Sequence, residues 1–451
     1  MLVALALVRG LLYATLTPPW QAPDETAHFE YAHLLARYRR PLTFADASAE
    51  LEREIIHSLY GYRAWDYIFR DAPSDVPARL ADAPFFWRSR TLTRFSLAYV
   101  PYALAVAPFL DQAVETQLYV MRLVSVLLAA PVIVLTFMTA RLVEPGAPAL
   151  AMGAALLVLF LPQHTYIMAT VSDGNLAELL ASVAVYQVAF MLQAGFTWRR
   201  AGLSVLCGSL AILTKATAYY LVPLSMIVGL EGLLRWGRST ALGRGWGRRR
   251  SALVALVALS AILLLLLRLL VLSIPPASNS LQSILFSLRQ PPAIVSHAVG
   301  MAAEGSLWHA LQWTFNSFWS TFGWMSLPLP NQWYPMIGAA CALSGLGWVA
   351  SLRGRRFTAG ALSNYAYMAL AAALPIAVLI GFFTLSPVGI HAYQGRYLFA
   401  GLVPLAVVLV RGWLSLVPAR HSTQMLAVMT LGLVLLDASA LLLVLVPFYY
   451  R

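Results

Sequence analysis

Apolar residues run through this chain in long blocks, separated by short polar gaps in which arginine dominates. A helix needs about 20 mostly apolar residues to cross a bilayer. Blocks of this kind fall at 2–17, 118–140, 148–168, 176–195, 201–214, 217–234, 251–273, 336–352, 362–386, 397–417 and 424–447. A further run, 95–112, is interrupted by Pro101 and Pro108 and is expected to fold back or lie along the membrane. The pattern predicts an all-α, polytopic transmembrane bundle of about 11 spans, forming a single domain over residues 1–451.

The polar gaps decide which face is which. With the N-terminus inside and 95–112 not crossing, the inner loops hold Arg141, Arg199, Arg200, the run from Arg235 to Arg250, Arg353, Arg355, Arg356 and Arg420. That distribution obeys the positive-inside rule, and a crossing at 95–112 would invert it. Two large loops then lie outside, at 18–94 and 274–335. The first carries 11 of the 19 acidic residues and reads as two helices on the membrane surface, 24–40 and 49–68. The second is rich in tryptophan: Trp308, Trp313, Trp319, Trp324 and Trp333 suit either an interfacial belt or stacking on sugar rings.

Composition agrees with the pattern and closes other classes. The chain is 60% hydrophobic and 11% charged, whereas a soluble domain carries about 25% charged residues. The net charge of +12 marks the cytoplasmic face rather than a nucleic-acid partner. Cys207 and Cys341 sit inside apolar stretches without metal-ligand spacing, and no cleavable signal peptide is expected after the first apolar run.

Few polar residues remain to carry chemistry, and most fall on the outer side. Asp24 and Glu25 follow the first span, with His28 on the same helical face as Asp24; Pro-Asp-Glu is also an ordinary way to begin a helix. Asp173 lies between two spans, as a second carboxylate or as a helix cap. Lys215, the lone lysine, ends a span, and Arg396 begins one within Gln394-Gly395-Arg396-Tyr397. Each cation either snorkels or grips a phosphate. Asp437 falls in the middle of the last apolar run, where an ionisable group needs a partner; Arg268 and Arg9 are the candidates. Two acids and two cations at one face suit a reaction in which a carboxylate deprotonates a hydroxyl and the cations hold a phosphate leaving group.

Together these pieces resemble the GT-C superfamily of polytopic glycosyltransferases and, within it, a bacterial family of uncharacterised predicted membrane proteins. The resemblance is carried by Pro23-Asp24-Glu25-x-x-His28-Phe29, Leu161-Pro162 with Ser172-Asp173, Thr214-Lys215, Phe322-Gly323-Trp324 and Gln394-Gly395-Arg396-Tyr397. It implies a GT-C-like bundle with juxtamembrane helices in the first outer loop, located in the bacterial inner membrane with its active site facing outward. It further implies sugar transfer, with inversion, from a polyprenyl-phosphate donor to a saccharide, lipid or protein acceptor. Asp24, beside Glu25, is then the catalytic base, and Asp173 with His28 the assisting groups. Lys215, Arg396, Tyr397 and Gln394 hold the lipid phosphate. Some superfamily members use a divalent metal, Mg or Mn, for which Asp24 and Asp173 would be the ligands. Superfamily members often add a C-terminal outer domain, and none is expected here.

A transporter or flippase of lipid-linked or small substrates, built around Asp437 and Arg268, is the main alternative; a non-catalytic assembly subunit is another. The assignment of sides has a direct test. A cysteine placed in the Arg244 loop is expected to be shielded from impermeant thiol reagents added outside, and ready labelling there overturns it.

Overall fold

The computed structural model describes residues 1–83, 86, 96–195, 197–225, 306–354, 359–385 and 393–450. The expected span at 251–273, most of that at 217–234, the basic run Arg235–Arg250, Arg268 and the first part of the loop 274–335 lie outside the described residues.

The chain is a helical bundle. Its elements are α1 (Leu2–Leu16), α2 (Glu25–Tyr38), α3 (Ala49–Gly61), α4 (Val100–Val106), α5 (Val114–Val143), α6 (Pro148–Phe160), α7 (Pro162–Met168), α8 (Gly174–Ala194) and α9 (Trp198–Thr214). These are followed by α10 (Ser306–Trp319), α11 (Trp333–Gly354), α12 (Ala359–Leu385), α13 (Leu402–Leu414), α14 (Ser422–Ser439) and α15 (Val446–Tyr450). A short hairpin, β1 (Thr321–Phe322) and β2 (Leu327–Pro328), pairs antiparallel with Phe322 opposite Leu327. Among the described residues six helices are long and apolar enough to cross a membrane, or seven if the bent pair α6–α7 counts as one. The chain is an integral membrane protein.

The expected span at 148–168 is the bent pair α6–α7. The helix breaks before Pro162, which cannot continue the backbone ladder, and turns by 62°. Carbonyls freed inside a membrane protein need partners. Here Thr165 Oγ1 donates to Leu159 O (3.2 Å) and Leu161 O (3.3 Å), and His164 Nδ1 lies 3.2 Å from Val158 O. The other imidazole nitrogen meets Glu178 Oε1 at 2.8 Å.

Asp437, in the last apolar run, is bound by Arg9 of α1 and by the Tyr13 hydroxyl at 2.8 Å. α1 is thereby tied to α14, and Arg9, odd in an apolar segment, has its partner.

The first loop is more than a pair of surface helices. α2 is buried along nearly its whole length, including Glu25, Thr26, His28, Glu30 and His33, so other parts of the chain cover it on all sides. Its apolar residues, with Trp20, Ile55, Ile56, Leu59, Trp65, Tyr99 and Tyr102, form a core separate from that of the bundle. The run at 95–112 contributes α4 and its flanking turns to this core. Leu97–Phe109 is a short apolar helix, roughly 20 Å long and so shorter than a bilayer core.

One buried ion pair ties this second core to the bundle. Arg122 of α5 donates to Glu25 through Nε (2.9 Å) and Nη2 (2.7 Å), and both side chains are wholly buried. The guanidinium also donates to Ala14 O, Thr17 O and Pro18 O, carbonyls at the end of α1. Glu25 in turn accepts from the backbone of Trp20 and of Val171. Breaking one side of such a pair leaves a naked buried charge and costs about 3–5 kcal/mol. Arg122→Met is therefore expected to lower unfolding stability in detergent by that amount, with the Glu25→Gln, Arg122→Met double variant recovering part of the loss. Equal losses in the single and double variants would contradict the pairing.

Candidate functional site

Above this ion pair the chain brings four of the expected residues together. Asp24 is the N-cap of α2, one residue before the helix that was expected to begin with it, and its side chain makes no capping bond. Its backbone is left-handed, with φ of 65°, a region that L-residues other than glycine, asparagine and aspartate seldom enter. The carboxylate turns instead to Arg396, whose Nη2 donates to Oδ2 at 2.7 Å, while Nη1 donates to Pro23 O at 3.3 Å. Arg396 is not a snorkelling cation: its side chain is 6% exposed, and that of Asp24 is 51% exposed.

Asp173 stands at the N-cap of α8 and also makes no side-chain cap. It pairs with Lys215 Nζ at 2.5 Å. The turn that carries Asp173 is pinned from several directions. Ser125 Oγ and Asn175 Nδ2 donate to Thr170 O, the Tyr102 hydroxyl to Ser172 O, and the Val171 amide to Glu25. Lys215 is the C-cap of α9, and the carbonyl before it, on Thr214, accepts from Ser96 Oγ.

Arg396 and Tyr397 lie on a tight turn, Gly395–Gly401, that leads into α13. Gly395 is needed by packing: a Cβ there would fall 2.1 Å from Phe318 N. The Gly395 amide donates to Ser317 Oγ at 2.8 Å, fixing the turn against α10. The ring of Tyr397 lies 5.8 Å from Lys215 Nζ and 5.6 Å from Arg396 Cζ, within cation–π range of both. Gln394 Oε1 and Arg396 Nε are buried without a hydrogen-bond partner among the described residues. Such open groups are costly unless a ligand completes them.

His28 joins the cluster from α2. Its Nε2 is 3.9 Å from Asp173 Oδ1, and its Nδ1 is 2.7 Å from the Tyr99 hydroxyl. Glu25 does not join. Its carboxylate is held by Arg122 and two backbone amides, away from the two carboxylate–cation pairs. Of the tryptophans, Trp319 is buried and Trp308 is exposed. Trp324 donates to Trp20 O at 3.0 Å, so the hairpin packs on the first loop.

The electrostatics are those of two balanced pairs. Burial alone would raise the Asp24 carboxyl, but the charge of Arg396, aided by His28, brings it below its ordinary value. Burial opposes ionisation of Asp173 as well, and Lys215 and His28 overcome it, bringing the carboxyl down to about 2. His28 is lowered chiefly by burial and is neutral at pH 7. Among the described residues no group of three or more His, Cys, Asp or Glu side chains is arranged to hold a metal ion.

Tyr99, Ser96, Tyr102 and Arg122 were not singled out in the sequence. The spacing of three between Ser96, Tyr99 and Tyr102, hydroxyls within an apolar run, was the available signal.

Comparison with known proteins follows this geometry. A family described as "Predicted membrane protein (DUF2142)" matches residues 7–408. No curated protein sequence matches the chain. Among solved structures, the chain is similar to ArnT from Cupriavidus metallidurans, crystallised bound to undecaprenyl phosphate. The TM-score is 0.50 at 14% sequence identity, covering 98% of this chain and 76% of that one. The shared property is the fold, a helical membrane bundle.

The lowered carboxyl of Asp173 and the lowered imidazole of His28 give stability the same sign. Both groups bind protons less readily folded than unfolded, so stability is full above their unfolded values and falls with acid. For His28 the fall begins near pH 6.5. For Asp173 it runs from about pH 4 down to about pH 2 and amounts to about 2 kcal/mol. Thermal unfolding in detergent across this range is expected to show both stages, and Asp173→Asn to flatten the more acidic one. A profile unchanged by that substitution would contradict the assignment.

Proposed function

We propose that this chain, which belongs to the DUF2142 family of predicted membrane proteins, transfers a sugar from a polyprenyl-phosphate donor to an acceptor hydroxyl. The work is done at the outer face of the bacterial inner membrane. The observation that carries the reading is the meeting of two carboxylate–cation pairs, Asp24–Arg396 and Asp173–Lys215, in a membrane bundle with the fold of ArnT. A protein of that fold binding undecaprenyl phosphate supports the choice of donor.

The chemistry asks little beyond these residues. The donor's phosphate carries negative charge that grows as its bond to the sugar breaks, and Lys215 and Arg396 are placed to neutralise it. The open Nε of Arg396 and the buried Oε1 of Gln394 offer a donor and an acceptor to the incoming head group. Arg396 cannot serve the phosphate fully while it holds Asp24. As its guanidinium turns to the phosphate, Asp24 loses its partner and becomes a stronger base.

Half-exposed, Asp24 takes the proton of the acceptor hydroxyl. The acceptor oxygen attacks the anomeric carbon as the carbon–oxygen bond to phosphate breaks. The electron pair leaves on the polyprenyl phosphate, and the sugar inverts. Tyr397, lying against both cations, keeps them side by side. The carboxylate that a transporter would use inside the membrane, Asp437, is bound by Arg9 and Tyr13.

Asp24→Asn is the deciding variant. A general base contributes about 10²–10⁴-fold, so sugar transfer, read by release of polyprenyl phosphate, is expected to fall by that factor. Polyprenyl phosphate is expected to bind the variant at least as tightly as the wild type, since Arg396 is freed. Undiminished transfer removes Asp24 as the base.

A further inference from the structure

The segment that enters α4 touches the site at three points. Ser96 Oγ donates to Thr214 O (2.9 Å), just before Lys215. The Tyr99 hydroxyl lies 2.7 Å from His28 Nδ1, and that of Tyr102 donates to Ser172 O (3.1 Å), just before Asp173. Residues three apart line up in a 3₁₀ turn, and Leu97–Tyr99 is one. Tyr99 is completely buried, its ring packed on those of Tyr31 and His28 at centroid distances of 4.4 and 5.7 Å.

This placement chooses between the two neutral forms of His28. A neutral imidazole carries one N–H. If it were on Nδ1, Tyr99 would have to accept it, leaving the tyrosine's own proton without an acceptor among the described residues. The bare lone pair of Nε2 would then face the carboxylate of Asp173. With the proton on Nε2, Tyr99 donates to Nδ1, and the Nε2–H points toward Asp173 Oδ1, 3.9 Å away. The tyrosine proton then has its acceptor, and the imidazole presents a positive N–H edge, not a lone pair, to the carboxylate.

We propose that Tyr99 is a positioning residue that fixes His28 in the Nε2–H form, and that His28 so fixed steadies Asp173 when Lys215 turns to the donor phosphate. The second half rests on the sugar-transfer reading; the first does not.

The test separates the two halves. In detergent-solubilised protein labelled with ¹⁵N-histidine, the His28 signals are identified by their loss in His28→Asn. An N–H nitrogen and a bare one resonate far apart. The wild type is expected to show Nε2 protonated and Nδ1 bare. Tyr99→Phe, which keeps the ring, is expected to give a mixture of both forms, and Tyr102→Phe to leave the pattern as it is.

For transfer, Tyr99→Phe is expected to lower kcat about tenfold while KM for the donor stays within twofold. A protonated Nδ1 in the wild type, or His28 signals unmoved by Tyr99→Phe, overturns the lock. An intact kcat in a variant whose imidazole has become mixed overturns the role given to His28. If Tyr99→Phe does not fold, the wild-type spectrum alone decides the tautomer. If no polyprenyl-phosphate sugar is turned over, the sugar-transfer reading fails while the tautomer result still stands.

Discussion

The pair Glu25–Arg122 is the joint on which the site is built. A wholly buried ion pair is a poor source of net stability, yet this one is satisfied on every side. Arg122 gathers the carbonyls that end α1, and Glu25 gathers the amides of Trp20 and Val171. Those contacts fix the chain on either side of Asp24 and just before Asp173. The two carboxylates of the site come from stretches nearly 150 residues apart in sequence, and a single carboxylate between them, Glu25, sets their separation. Its strength comes from number and direction of bonds rather than from charge alone.

The site itself is neutral when counted by charges: two carboxylates, two cations and an uncharged imidazole. That balance is what lets it sit beside a low-dielectric bundle. It also makes the resting arrangement a competitor of the ligand. An anion entering the cluster gains two cations but must draw them from partners already in contact. The aromatic face of Tyr397, in reach of both cations, lowers the cost of that exchange.

Much of this was legible in the sequence, and the part that was not has a physical cause. Asp24, Asp173, Lys215 and Arg396 stood out because charges are scarce in an apolar chain, and the order of spans put them on one side. Glu25 looked equivalent to its neighbour because one residue of helix separates faces by 100°, a difference that matters only once α2 is buried all round. That burial could not be read from α2, whose polar residues suggest a solvated face; their partners Arg122, Gln117 and Tyr99 lie in later elements. The run 95–112 appeared only as a non-crossing segment because its prolines were the visible feature. Its hydroxyls, which bond to Thr214, His28 and Ser172, are invisible to a hydropathy pattern. Asp437 was recognised as needing a partner, and only the fold chose Arg9.

The left-handed backbone at Asp24 bears on the choice of amino acid there. Aspartate and asparagine enter that region at small cost, while glutamate, with an equally basic carboxylate, enters it less readily and reaches one methylene further. The turn therefore acts as a filter on side-chain type before any chemistry is considered. An alanine placed there would disturb the backbone and the charge together, whereas asparagine isolates the charge. The conformation of one residue thus decides which substitutions at position 24 report on its charge and which report on shape.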